Sequence, residues 1–309
     1  MSAAFLRIGT RGSPLALAQA REVRRILAGL HAIHEDSIEL VIIKTTGDAI
    51  VDRPLAEAGG KGLFTKELDA AQLAGDIDIA VHSAKDLPTQ LPPGLDVGGY
   101  LPREDVRDAL IAPRAGSIRD LPKGAKVGTA SLRRAAQLKR LRPDVETPLL
   151  RGNVETRLRK AQAGEIDATL LALAGLKRLG LADRATRVLE IEDFLPAVGQ
   201  GAIAIAVRAE DHLTRTRIAG ALHHDTGVAL AAERAFLHAL DGSCRTPIAG
   251  HARVRDGQVE FSGMVLRIDG SEAFEASARG AIEDAARLGA DAGHDILGRL
   301  PAGVLAAKA

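Results

Sequence analysis

Cysteine is almost absent from this chain: Cys244 is the only one in 309 residues. A single thiol forms no internal disulfide, and it is too few for a cysteine-based zinc or iron–sulfur site. Lone cysteines are most often small buried apolar residues. Here, however, Gly242 and Pro247 indicate a loop, and Arg245 favours the thiolate. We therefore interpret Cys244 as a functional thiol.

Aromatic residues and an excess of either charge are also lacking. With no Trp, one Tyr and six Phe, the chain has few rings on which nucleobases could stack. Its 41 Lys and Arg residues balance 40 Asp and Glu residues, so no global field attracts nucleic acid or a membrane. There is no apolar run of membrane-spanning length and no signal-peptide pattern at the first residues. The composition predicts a cytoplasmic protein with no nucleic-acid and no membrane partner.

Strand-like and helix-like runs alternate to about residue 210, which is typical of α/β domains. Two turns are similar: in Ile8–Ser13 and in Val127–Ser131, Gly-Thr follows an apolar residue and a serine would begin a helix. Two segments with Gly before a buried strand, at 75–82 and 164–171, repeat in the same order. The repetition predicts two similar domains that face a shared cleft, a frequent place for ligands.

The C-terminal part has a different pattern. Strand-like runs at Ile248–Arg255 and Gln258–Ile268 flank Asp256-Gly257, a pair typical of a tight hairpin turn. A further strand and a C-terminal helix complete a small α+β domain. Cys244 comes just before its first strand, so the thiol would belong to this domain.

Basic residues are concentrated in residues 129–160, where nine Lys and Arg residues face three Asp and Glu residues. Some of these are ordinary solvated side chains, but Arg133 and Arg134 would lie in the first turn of a helix, where the dipole disfavours cations. They therefore need an anionic partner. Arg11 beside the equivalent first turn and Arg151 after a strand would add to the same site. The planar donors of arginine predict a ligand with carboxylates or phosphates.

A Walker phosphate loop is excluded, because the glycine-rich run 59–64 lacks its spacing and the Ser or Thr after lysine. We interpret this run as a mobile loop from which Lys61 reaches the ligand, although an ordinary surface lysine explains it equally well. Asp86 follows a buried strand, where a carboxyl group either takes part in acid–base chemistry or caps the next turn. With the arginines and Cys244, it suggests an enzyme that holds a polyanionic substrate covalently.

The motifs that carry these residues resemble those of one family. They are Thr10–Leu17, Gly59–Phe64, Val81–Asp86, Gly128–Arg134, Leu150–Val154, Ala174–Arg178, Leu195–Gly201 and the Gly-Ser-Cys run at 242–244. In this order they are similar to the motifs of the porphobilinogen deaminases, or hydroxymethylbilane synthases. The resemblance implies a monomeric transferase of tetrapyrrole biosynthesis. It would condense four porphobilinogen molecules head to tail into linear hydroxymethylbilane and release ammonia.

The resemblance also implies a fold and a cofactor. The fold is α/β, with two similar periplasmic-binding-protein-like (type II) domains around a cleft plus a small C-terminal α+β domain. The domains would span 1–101 with 201–220 returning, 105–196, and 222–309. The cofactor is a dipyrromethane bound to Cys244 by a thioether, which primes the product chain and stays attached when the product leaves.

Family position assigns roles to single residues. Asp86 would be the catalytic carboxylate that helps to expel ammonia and stabilises the cation left behind, and Phe64 would cover the reacting ring. The residues that would bind the cofactor are Cys244, Ser13, Lys85, Asp86, Thr129, Ser131, Arg133 and Arg134. Those that would bind substrate carboxylates are Arg11, Lys61, Arg151, Arg157 and Arg178. No metal ion is expected. Ser243 in place of a glycine and Glu57 in place of a lysine depart from the family pattern, but remove no group that the reaction requires.

Three other functions fit parts of the pattern. A non-catalytic two-domain anion-binding module explains the cleft and the arginines but gives no role to Cys244 or Asp86. A nucleic-acid binder would use residues 131–142 as a recognition helix, which the balanced charge and the few aromatic rings disfavour. A cysteine hydrolase would need a histidine partner for its thiol. The candidates for that partner are His223, His224 and His238.

Overall fold

The computed structural model describes residues 4–49, 62–242, 246–301 and 304. Its strands are β1 (Leu6–Arg11), β2 (Ile38–Ile43), β3 (Ile79–Ser83), β4 (Leu95–Tyr100), β5 (Asp108–Ile111), β6 (Val127–Gly128), β7 (Ala168–Ala172), β8 (Arg187–Val188), β9 (Ile203–Arg208), β10 (Ile248–Arg255), β11 (Gln258–Leu266) and β12 (Ala273–Ala281). Its α-helices are α1 (Pro14–Leu30), α2 (Thr46–Ala49), α3 (Lys66–Leu73), α4 (Leu132–Leu141), α5 (Val154–Gln162), α6 (Leu173–Arg178), α7 (His212–Ala219), α8 (His224–Ala239) and α9 (Ala285–Arg299). Among these helices, none is both long and apolar enough to cross a membrane.

Several residues that the sequence singles out lie outside the described residues. They are Glu57, Lys61, Ser243, Cys244 and Arg245. The first half of the glycine-rich run 59–64 lies outside them as well, whereas residues 62–64 are described.

The first sheet has the strand order β2-β1-β3-β9-β4. β1 pairs in parallel with β2 and β3, whereas β9 pairs antiparallel with β3 and β4. α1 begins as predicted, because the Ser13 side chain accepts a hydrogen bond from the amide of Ala16 and Pro14 occupies the first position. Since β1 and β3 run in the same direction, Arg11 and Ser83 end at the same edge of the sheet, the edge at which open α/β sheets bind ligands.

The second sheet has the strand order β6-β7-β5-β8, which corresponds to β1-β3-β9-β4 of the first sheet. β6 is parallel to β7, and β5 is antiparallel to β7 and β8, as β9 is to its neighbours in the first sheet. The strand predicted before Arg151 is not regular. The amide of Thr129 donates to the carbonyl of Pro148, but proline has no amide hydrogen with which to continue a ladder. The predicted pair of similar α/β domains is confirmed.

The chain crosses between these domains twice. The first crossing segment, residues 101–107, precedes β5, and the second, residues 189–202, precedes β9. The two crossing segments run side by side, and the amide of Glu104 donates to the carbonyl of Gly201 at 3.2 Å. Gly201 has φ +87°, and a Cβ there would lie 2.4 Å from the carbonyl oxygen of Glu104. This position therefore requires glycine.

The C-terminal sheet has the order β10-β11-β12 and is antiparallel throughout. Asp256 and Gly257 both have positive φ, at 51° and 71°, and join β10 to β11 in the predicted two-residue turn. In the core, the ring centroids of Phe236 on α8 and Phe261 on β11 lie 4.9 Å apart. The predicted small α+β domain is confirmed, while the three sets of domain boundaries stay predictions.

One buried carboxylate joins this third domain to both crossing segments. Glu233 on α8 is fully buried and binds the guanidinium of Arg103 through both oxygens, at 2.6 and 3.1 Å. It also accepts hydrogen bonds from the amides of Gly199 and Ala252, each at 2.7 Å. Arg103 lies in the first crossing segment and Gly199 lies in the second. The Glu233 side chain therefore holds the third domain and both crossing segments together.

Replacing this carboxylate should destabilise the protein. We expect Glu233→Gln to lower the free energy of unfolding by about 3–5 kcal/mol, because the buried Arg103 loses its counter-charge. The midpoint of urea unfolding measures the change. The control is Glu272→Gln in the exposed pair with Arg267, where we expect a loss of about 1 kcal/mol or less. Equal midpoints for the two variants would show that the buried pair adds no special stability.

Candidate active site

Asp86 lies in a single 3₁₀ turn, Ala84–Asp86, that follows β3. The amide of Ala84 donates to the carbonyl of Ala202 at 3.0 Å. Gly199 has φ +76°, and a Cβ there would lie 2.8 Å from the backbone nitrogen of Lys85. The segment that returns from the second domain thus packs directly on this turn and fixes the backbone from which Lys85 and Asp86 project.

Arg133 and Arg134 are only 4% and 6% exposed, and they share the fully buried carboxylate of Asp108 on β5. The carboxylate accepts from Arg133 at 2.7 Å and from Arg134 at 2.6 Å. Burial alone would raise the pKa of Asp108, but the two guanidinium groups hold it well below its usual range. The anionic partner that the start of α4 requires is therefore part of the protein. The roles of the two arginines in cofactor binding stay predictions.

This buried cluster predicts a defined dependence of stability on pH. The pKa of Asp108 is lower in the folded than in the unfolded chain, so its ionisation stabilises the fold above the unfolded value of about 4. That contribution is lost as the pH falls through the folded pKa. We expect Asp108→Asn to unfold at much lower urea than wild type at neutral pH, with the difference shrinking below about pH 4. A constant difference, or the small effect expected of the exposed control Asp120→Asn, would contradict this.

Arg151 and Arg157 extend the positive charge of the second domain. Arg157 lies on α5 and donates from its Nε to the carbonyl of Gly152 at 2.9 Å. Burial, followed by the charges of Arg134 and Arg151, lowers the pKa of Arg157 to about 10, while the charge of Asp86 opposes the shift. A cation whose pKa is lowered by neighbouring cations is stabilised by an added anion. The four arginines of the second domain form a basic wall that suits carboxylates or phosphates: Arg133, Arg134, Arg151 and Arg157.

Lys85 links the wall to Asp86. Burial, followed by the charge of Arg134, lowers the pKa of Lys85 to about 8, whereas Asp86 and Asp108 act in the opposite direction. Its Nζ lies 3.5 Å from the amide oxygen of Gln200. Residues of both α/β domains thus act on one another around Asp86, which lies where the two domains meet.

Arg11, Phe64 and His82 form a second group near the same sheet edge. The guanidinium carbon of Arg11 lies 4.1 Å from the centroid of the Phe64 ring, a favourable cation–π contact. Burial, followed by the charge of Arg11, lowers the pKa of His82 to about 4, so its ring is neutral at pH 7. Within the described part of the chain, its Nε2 has no hydrogen-bond partner. The role of Phe64 as a cover for the reacting ring stays a prediction.

Thr129 and Ser131 prepare the start of α4. The buried Thr129 accepts a hydrogen bond from the amide of Ser131 at 3.1 Å, and Ser131 caps the helix by accepting from the amide of Arg134. The serine cap matches the one at Ser13 in the first domain, as the repeated sequence predicts.

Arg178 lies apart from the basic wall, between α1 and the second crossing segment. It donates to Glu22 at 3.2 Å and to the carbonyl of Gly201 at 3.0 Å. Its assignment to a substrate carboxylate stays a prediction. Among the described residues, no cluster of three or more His, Cys, Asp or Glu side chains could hold a metal ion.

Sequence reasoning missed two residues of this site, Asp108 and Gln200. Asp108 begins the buried run of β5, and a lone carboxylate in a buried strand requires a cation. The sequence therefore indicated that Asp108 needs a cation, but it did not indicate which residue supplies that cation. Gln200 is fully buried within the motif Leu195–Gly201, which predicted a family but no role for the glutamine.

Comparison with known proteins gives a consistent family. The family model described as "Porphobilinogen deaminase, dipyromethane cofactor binding domain" matches residues 6–216, and "Porphobilinogen deaminase, C-terminal domain" matches residues 228–298. A porphobilinogen deaminase of Nitrobacter winogradskyi is 60% identical over 289 residues, which cover 94% of this chain and 92% of the relative. The chloroplastic porphobilinogen deaminase of Oryza sativa subsp. japonica is 53% identical over 297 residues, covering 94% and 83%.

Solved structures of low identity also match. A periplasmic substrate-binding protein of an ABC transporter from Coxiella burnetii has a TM-score of 0.45 and 14% identity, covering 74% of this chain and 97% of that one. A methionine-bound nutrient binding protein from Burkholderia cenocepacia has a TM-score of 0.41 and 14% identity, covering 69% and 90%.

Proposed function

Because the chain belongs to the porphobilinogen deaminase family, we propose that it condenses four porphobilinogen molecules into linear hydroxymethylbilane and releases ammonia at each step. It is an enzyme of tetrapyrrole biosynthesis, and its cofactor is a dipyrromethane. The observation that carries the proposal is the basic wall of the second domain, which meets the carboxyl group of Asp86 from the first. It would act as a monomer in the cytoplasm, with no nucleic-acid or membrane partner.

The charges around Asp86 fit the cofactor. Each of its pyrrole rings carries an acetate and a propionate group, and each substrate ring adds the same pair. Asp108 supplies one negative charge to the two guanidinium groups of Arg133 and Arg134, so one positive charge is left over. Burial is the largest cause of the lowered pKa values of Lys85 and Arg157, and the charges of neighbouring arginines add to it. Carboxylates of the cofactor or substrate would offset this part of the shift.

The binding set follows from this fit. Cys244 would hold the cofactor by a thioether, and the residues that would bind its polar groups are Ser13, Lys85, Asp86, Thr129, Ser131, Arg133 and Arg134. Substrate carboxylates would pair with the remaining cations, which are Arg11, Lys61, Arg151, Arg157 and Arg178. When bound, the dipyrromethane supplies the electron-rich pyrrole carbon to which the first substrate ring is joined.

Asp86 is the group best placed to assist the loss of ammonia. As the bond between carbon and the protonated amine breaks, ammonia leaves and positive charge develops on the substrate pyrrole. A fixed carboxylate stabilises this charge and accepts hydrogen bonds from pyrrole N–H groups. Lys85 and Arg157 beside it would hold the acetate and propionate groups, so that the ring nitrogen faces Asp86. Phe64, which stacks on Arg11, would limit the access of water to the reacting ring.

The mass of the purified chain tests this proposal. We expect the intact denatured protein to be heavier than its polypeptide by one dipyrromethane, with the excess on the peptide that contains Cys244. A chain that stays unmodified even after incubation with porphobilinogen would contradict the proposal. It would favour a two-domain anion-binding protein instead.

A further inference from the structure

Both ends of the Gln200 side-chain amide make hydrogen bonds, and together these bonds join the two α/β domains. Gln200 is fully buried. Its Nε2 donates to the carbonyl of Val106 at 2.7 Å and to the carboxylate of Asp108 at 3.0 Å. Its Oε1 accepts from Nζ of Lys85 at 3.5 Å. One end of the amide therefore contacts the second domain, and the other contacts the turn that carries Asp86.

The backbone around Gln200 is fixed on both sides. A Cβ at Gly199 would lie 2.8 Å from the backbone nitrogen of Lys85, and one at Gly201 would lie 2.4 Å from the carbonyl oxygen of Glu104. Gly199 thus packs against the turn Ala84–Asp86, and Gly201 packs against the first crossing segment. The backbone of Gln200, which lies between these two glycines, is therefore held against both segments.

The orientation of the amide is also determined. The carbonyl of Val106 and the carboxylate of Asp108 are both acceptors, so only the NH₂ end of the amide can face them. The oxygen must then point towards Lys85, whose ammonium has only donors to offer. The two acceptors of the second domain together therefore keep the amide oxygen of Gln200 facing the ammonium of Lys85.

We propose that Gln200 is a positioning residue that holds the ammonium of Lys85 beside Asp86, and that Val106 and Asp108 of the second domain keep its amide in the orientation to do so. The proposal rests on the proposed function, because that function gives Asp86 and Lys85 their roles. It adds that the turn Ala84–Asp86 of the first domain is held by the side-chain amide of Gln200, whose orientation is set by the second domain. Movement that separates Val106 and Asp108 from Gln200 would release Lys85.

Lys85 is sensitive to such a contact because of its surroundings. Asp86 in its own turn and Asp108 on β5 favour the ammonium, whereas Arg134 and Arg133 on α4 disfavour it. Burial is the largest influence and lowers the pKa of Lys85 to about 8. A group that titrates this close to neutral pH changes its protonation measurably when one acceptor is removed.

The first test measures Lys85 directly in the cofactor-bound protein. Brief acetylation with limiting acetic anhydride at a series of pH values, followed by peptide mass spectrometry, gives the pH midpoint of Lys85 reactivity. Gln200→Leu removes the acceptor at similar size, so we expect the midpoint to fall by about half to one pH unit. Gln200→Asn shortens the side chain, keeps the amide, and should shift the midpoint in the same direction by less. The exposed control Gln162→Leu should leave it unchanged.

An unchanged midpoint in both Gln200 variants would overturn the proposal. Gln200→Asn is the more conservative change, so the test remains if Gln200→Leu fails to fold. Cofactor mass and product formation by the wild-type protein report on the proposed function, while the midpoint reports on Gln200 alone. The two hypotheses can therefore fail separately.

A double-mutant cycle separates positioning from a general structural role. We expect Gln200→Leu to lower kcat by about tenfold in the wild-type background, with little further loss in a Lys85→Met background. This pattern would show that Gln200 acts through Lys85. Equal losses in the two backgrounds would assign Gln200 a role independent of Lys85, and the proposal would be wrong.

Discussion

Cys244→Ser should yield a purified protein with the mass of its bare polypeptide and no measurable hydroxymethylbilane synthesis. The chain has no other cysteine that could take over. A serine hydroxyl is a much weaker nucleophile than a thiolate, so stable attachment of a dipyrromethane is lost. Without a covalently held primer, substrate rings have no anchored chain to join. Intact mass before and after incubation with porphobilinogen measures the first effect, and product formation measures the second.

The matched control for this variant is its neighbour in sequence. Ser243→Gly keeps the thiol and restores the glycine that the family pattern leads us to expect at this position. We expect it to retain the added mass and most of the activity. A Cys244→Ser protein that still carries the dipyrromethane and turns over normally would remove the thiol from the proposed mechanism.

Asp86→Asn should fold, retain the cofactor and lose about 10²- to 10³-fold in kcat. The amide has nearly the shape of the carboxylate but no charge with which to stabilise the developing cation. Since Asp86 also acts to raise the pKa of Lys85 and Arg157, its loss lowers both pKa values further. The rate of ammonia release under saturating porphobilinogen gives kcat, and peptide mass gives cofactor occupancy.

Two further variants bracket this result. Asp86→Glu keeps the charge but displaces it by one methylene, so we expect a loss smaller than that of Asp86→Asn. Asp76→Asn changes an exposed aspartate of the same domain and should leave turnover unchanged. If Asp86→Asn releases ammonia at nearly the wild-type rate, another group must stabilise the cation.

Local features of the fold were predictable because their signals lie within a few residues. The turn at Asp256-Gly257 requires two positive φ angles, and the sequence supplies residues that tolerate them. Ser13 and Ser131 cap the helices that their positions indicate. The place of β9 between β3 and β4 was not predicted, because a strand of apolar residues carries no mark of its neighbours.

The site was predictable to the same extent. The position of Arg133 and Arg134 at a helix start indicated that they need an anion, but not which one. Asp108 precedes them by about 25 residues and meets them only when the second sheet packs on α4. The link from Gln200 to Lys85 spans 115 positions and depends on the two crossing segments lying together. Such contacts arise from tertiary packing, which local propensity does not encode.

The central position of β9 also sets the order in which the domains are completed during synthesis. β5 to β8 form one continuous stretch of chain, and their sheet needs no later residue. β3 and β4 have no direct pairing and wait for β9, which leaves the ribosome only after that whole stretch. We therefore expect the second sheet to form while the first is still open. The part of the protein that is translated first is the part that finishes folding later.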